Sequence, residues 1–133
     1  MSKTNSLENS IVAFIFNNTA MPSYGSNLYL ALHTSDPGES GSYSSECAYT
    51  NYARVLVTRD VAGWTVSGNE ATNAALVQFP ISSSGPEVAT HWSVGTASSG
   101  GTMLYSFALN SSLTINNLVQ PQFAISSISV SED

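Results

Sequence analysis

Positive charge is the scarcest property of this sequence: Lys3, Arg54 and Arg59 are its only basic residues, and the formal net charge is −6. Clustered Lys and Arg are what neutralise phosphates, so no nucleic-acid partner is expected. Adhesion to an anionic membrane surface fails for the same reason. Charge of either sign is thin, at 9% of residues against roughly 25% in an ordinary soluble domain. Cysteine is limited to Cys47, which excludes an intrachain disulfide framework. Its neighbours Glu46 and Ala48 offer no cation to lower its pKa, so a bland thiol is expected. Long apolar runs are missing too. The longest, Ile11 to Phe16, is far too short to cross a bilayer. Thr4, Asn5, Ser6, Glu8, Asn9 and Ser10 interrupt any signal-peptide core.

Ser, Thr and Asn supply the polarity instead, in runs such as Ser82-Ser83-Ser84 and Ser98-Ser99-Gly100-Gly101. A polar but nearly uncharged surface suits a protein packed against copies of itself or against neighbours. The 133 residues match the usual size of one domain and suffice for a proper core, so a single domain over 1–133 is expected.

One helix is predicted, over residues 4–17, with Thr4 or Ser6 as its cap. Leu7, Ile11, Phe14 and Ile15 share a stripe, whereas Val12 and Phe16 lie off it. So wide an apolar surface means either burial on two sides or contact with another subunit. Beyond residue 27 the chain reads as strands over 27–34, 52–59, 63–67, 73–79, 88–95, 102–109, 112–116 and 121–131. Leu28, Leu30 and Leu32 alternate with Tyr29, Ala31 and His33, the period-two mark of a half-buried strand. Asp36-Pro37-Gly38, Ser67-Gly68-Asn69, Ser84-Gly85-Pro86 and Asn116-Asn117 punctuate the series. Pro80 is expected to close one strand and Pro121 to open another. Eight short strands so spaced predict an all-β antiparallel sandwich of jelly-roll or Greek-key type, carrying one N-terminal α-helix.

Chemistry is hard to find. His33 and His91 are the candidates for a metal or catalytic site, with Asp36 as a third ligand if their strands adjoin. No close-spaced His pair, HExxH or Cys/His zinc pattern occurs, and strand histidines more often serve backbone or packing roles. There is no Gly-x-Ser-x-Gly elbow for a hydrolase. GTASSGG at 95–101 lacks a phosphate loop's Lys and leads into a strand, so it is read as a hairpin turn. Tyr24, Tyr29, Tyr43, Tyr49 and Tyr52, with Trp64 and Trp92, are candidates for a sugar-stacking platform, though packing accounts for most aromatics in strands. No enzyme, cofactor or metal is expected. The long loop from Ser35 to Asn51 reads as a contact loop. The candidate protein-contact residues are therefore Val12, Phe16, Asp36, Pro37, Glu39, Tyr43 and Tyr49.

Four segments together resemble a family of small bacteriophage virion structural proteins, described variously as head-decoration or tail-fibre-like. They are LYLALHTSDPGESG (28–41), TNYARV (50–55) with FP at 79–80, THWSVGTASSGGTMLYSFAL (90–109), and QPQFAISSISVSED (120–133). The resemblance covers most of the chain after residue 27 and implies a virion part with no catalytic residues. It does not fix which part; the small size, wide apolar helix, sparse charge and missing chemistry make a capsid decoration (cement) protein, bound to the major capsid protein and assembled in the host cytoplasm, the first expectation. The alternative is a tail or tail-fibre component touching other virion proteins or host surface glycan. Closed symmetry is the rule for such assemblies, so a dimer or trimer is expected.

Overall fold

The alternation at Leu28–His33 becomes β2 (Asn27–His33), a central strand of the largest sheet. The computed structural model describes residues 2–133. β1 (Ser2–Lys3) and the helix α1 (Asn5–Asn17) come first, and β3 (Val55–Thr58), β4 (Trp64–Ser67), β5 (Glu70–Asn73) and β6 (Val77–Gln78) follow β2. β7 (Glu87–Gly95), β8 (Met103–Ile115), β9 (Gln122–Phe123) and β10 (Ser129–Ser131) complete the order. The strands form three antiparallel sheets, β1-β8-β7-β2-β3, β10-β5-β4 and β6-β9. The fold is all-β and sandwich-like with an N-terminal helix, as expected.

Register explains the two layers. Leu30 pairs with Val94 and Leu32 with Trp92, so these side chains share the inner face of the five-stranded sheet. There they pack with Trp64, Val77, Phe79 and Ile128 from the opposite side. The outer face is also covered. Ala31, His33, Ser93 and Ser106 are all buried, although none belongs to the main core cluster. The small residues on this face let the 34–47 loop approach closely. A methyl group added at Gly95 would lie 2.1 Å from the Tyr43 hydroxyl.

Departures from the predicted strands have local causes. The expected 73–79 strand is two, β5 and β6, because Asn73 turns the chain. Its amide donates to the Ala75 carbonyl (2.9 Å) and the Ala124 carbonyl (2.8 Å), while its oxygen accepts from the Ile128 amide (3.1 Å). The same bonds split the expected 121–131 strand into β9 and β10, with Ser126 at φ 59° between them. The 102–109 and 112–116 strands are one element, β8, interrupted by a bulge. Ala108 pairs with His91 and Leu113 with Ala89, so 109–112 stand opposite Thr90 alone. The 52–59 strand begins only at Val55, because Asn51 (φ 79°) and the Tyr52 amide bond to the Tyr49 carbonyl form a turn before it. GTASSGG does close the β7–β8 hairpin, with Thr96 and Thr102 bonded across its base.

Candidate functional site

α1 is attached to the sheets at one end only. Thr4 occupies the N-cap position, yet its hydroxyl donates to the Met103 carbonyl (2.6 Å) and accepts no bond from the helix amides. Its amide bonds to the Leu104 carbonyl, and the Asn5 amide to that of Glu39. Leu7 is the helix's only buried residue. Past it the described residues cover the helix only in part: Ser10, Ile11 and Ala13 are half-buried, whereas Val12, Phe14, Ile15 and Phe16 are 57%, 53%, 62% and 79% exposed. The helix ends at Asn18 in the left-handed conformation. The predicted stripe is therefore covered only in its first half: Leu7 is buried and Ile11 half-buried, while Phe14 and Ile15 are exposed. Among the described residues nothing buries the helix on two sides.

The 34–47 loop folds inward over a buried polar cluster. Arg54 makes two bonds to the Glu46 carboxylate, Nε at 2.7 Å and Nη2 at 2.9 Å. Their side chains are only 5% and 18% exposed. Nη1 of Arg54 donates to the carbonyls of Ala97 and Gly100, tying down the β7–β8 turn. The guanidinium also lies 3.8 Å from the centre of the Tyr43 ring. Tyr52 accepts from the Leu32 amide and donates to Glu46. Burial alone would raise the Glu46 carboxyl, but the bonds from Arg54 and Tyr52 outweigh it and hold the group below its ordinary value.

His33 and His91 do stand opposite each other on β2 and β7. Their rings are separately engaged: His33 Nε2 lies 2.7 Å from the Ser93 hydroxyl, and His91 Nδ1 lies 2.8 Å from that of Thr90. Among the described residues no three metal-ligating side chains come together. Burial, with Arg54 and His91 adding to it against Glu46, lowers the His33 pKa to about 4. In the unfolded chain the ring titrates near 6.5, so between these values the unfolded state binds the extra proton. Stability supplied by neutral His33 is thus complete above about pH 6.5 and lost as pH falls towards 4. Melting temperature followed across that window should drop, and His33→Asn should flatten the drop. A wild-type profile level from pH 7 to 4 would contradict this. Cys47 is buried, and its thiol is pushed up to about 12 by burial and by Glu87 and Glu46, so it is no nucleophile at neutral pH.

The other contact candidates divide. Asp36 is exposed and caps its own turn by accepting from the Gly38 amide (2.9 Å). Glu39 is exposed beside the helix start. Pro37 and Tyr49 are buried, and the Tyr49 hydroxyl donates to the Pro80 carbonyl (2.8 Å), so both are taken up by the fold itself. Tyr43 is half-buried under the Arg54 guanidinium. Val12 and Phe16 remain exposed, now joined by Phe14 and Ile15. A second apolar surface is the open groove of about 570 Å³ where Leu28, Val94 and Tyr105 face Val66 and Val130. Its lip is formed by Val61 and Val66, 91% and 71% exposed.

No helix among the described residues is long and apolar enough to cross a membrane. No curated protein sequence matches the chain. Residues 2–131, nearly its whole length, match a family of phage virion proteins. With its β-rich fold, this chain belongs to the family described as podophage GP4 fiber I protein gp80.

Proposed function

We propose that the chain is a structural subunit of the phage fibre apparatus and that it associates with copies of itself through the outward face of α1. The family's description supports the fibre assignment over head decoration. The observation that carries the association is the cluster Val12, Phe14, Ile15 and Phe16, left open on a helix held at one end. A helix of 13 residues is marginal in water by itself and needs tertiary or quaternary packing of its apolar face. From Asn9 to Ser35 no residue is Asp, Glu, Lys or Arg. Such a face meets its own copy across a symmetry axis without like-charge repulsion.

Phe16→Asp is the test, read by sedimentation of the purified chain. The wild type should sediment as a closed oligomer. The variant should lose about 2 kcal/mol or more of association, in the range of an aromatic hot spot. Its monomer should keep its melting temperature, since Phe16 contributes little to the interior. A wild-type chain that stays monomeric at high concentration, or a variant that assembles equally well, would refute the proposal.

A further inference from the structure

A cleft of about 590 Å³ lies where the β8 bulge overhangs β9 and the segment leading to β10. That volume is ordinary for a small-molecule site. Its floor is aromatic: the half-buried rings of Phe107 and Phe123 are open to it, and both pack on the buried Trp92 beneath, with ring centres 4.6 and 5.8 Å from that of the indole. Its edge is polar and unspent. Asn110, Ser111 and Ser112 on the bulge and Ser127 opposite are exposed, and their side chains make no hydrogen bonds within the described residues. None of the residues lining the cleft is ionisable. Glu70 reaches the edge only as the acceptor of the Ser129 hydroxyl.

We infer that this cleft binds a neutral saccharide. Each property removes a class of ligand. Phosphates and carboxylates need a cation or a cluster of aimed amides, and a metal ion needs carboxylates or imidazoles. A purely apolar chain would strip water from Asn110, Ser111 and Ser112 and give no hydrogen bond in return. A sugar ring has the matching make-up, with a C–H face for the aromatic floor and hydroxyls that both donate and accept. Asn and Ser side chains also do both. The bulge is what turns these residues towards the cleft. A regular β8 would carry no such overhang, and bulges concentrate where a strand is re-aimed for function. No α1 residue lines the cleft, so the inference is independent of how the chain associates.

The experiment is a titration of the isotope-labelled full chain with neutral oligomers of glucose, galactose, mannose and N-acetylglucosamine, followed by NMR. At least one should produce saturable millimolar shifts at the Trp92 indole and the Asn110 and Ser112 amides. Asn110→Ala with Ser112→Ala removes only exposed, unbonded groups and should weaken binding about tenfold without loss of folding. Phe16→Asp should leave saccharide binding unchanged, which separates this result from the one on association. The inference is overturned if no oligomer perturbs the cleft, or if the double variant binds as well as the wild type. Shifts produced only by an alkyl probe would overturn it equally.

Discussion

Replacing Arg54 with alanine should destabilise the fold by about 3–5 kcal/mol, the range for breaking one partner of a buried ion pair. The loss comes from what is stranded. Glu46 keeps a carboxylate that is 18% exposed with Tyr52 as its remaining side-chain donor, and the carbonyls of Ala97 and Gly100 lose their common partner. The Tyr43 ring loses the cation resting on it. A ΔΔG of this size should lower the melting temperature by about 10 °C or more. Arg54→Lys should recover only part, because an ammonium cannot supply the two-pronged contact with Glu46 and reach the turn as well. Thermal melts check the magnitude, and amide exchange at 96–102 checks the location. An Arg54→Ala melt within a degree or two of wild type would show the cluster to be dispensable.

Phe79→Ala should cost a similar amount, about 3–5 kcal/mol, for a different reason. The side chain is fully buried and lies between Tyr52, stacked at 6.3 Å, and Phe123, edge-on at 6.2 Å. Removing it leaves a cavity between the Tyr52 and Phe123 rings, which rigid, closely packed surroundings fill only in part. Phe79→Leu should cost much less, since most of the volume is restored. Native domains are stable by only about 5–15 kcal/mol, so the alanine variant is expected near the limit of folding at 37 °C. Urea unfolding of the pair gives the comparison; equal midpoints for alanine and leucine would mean that the site relaxes freely.

How far the sequence was legible depended on the range of the interaction concerned. α1 was readable to within a residue, and Leu30 and Leu32 were readable as core, because periodicity is a local signal. Whether a face is covered is not local. The period-two pattern put Ala31 and His33 opposite the leucines, but only the fold reveals the 34–47 loop laid over them. The helix shows the converse. Its apolar stripe specifies a side that wants burial, not whether the same chain supplies the cover. Pro37 and Tyr49 looked like contact-loop residues because the loop is long and polar; their burial depends on contacts with distant segments such as Pro80. Glu46 and Arg54 stand eight positions apart, and nothing in that spacing announces a pair closed over by the fold. In the cleft, the break near Asn110–Ser112 was visible as an interrupted strand. Its role as a wall required the register with β7.

Asn73 has a consequence for how the chain reaches its final form. One side chain joins three backbone positions, two of them 51 and 55 residues away, and so closes the sandwich where small domains often use a disulfide. Unlike a disulfide it forms without an oxidant, needs no isomerase to correct it, and is untouched by thiols. With Cys47 buried and unpaired, the closure made by Asn73 uses no sulfur chemistry, and its bonds hold alike in reducing and oxidising surroundings.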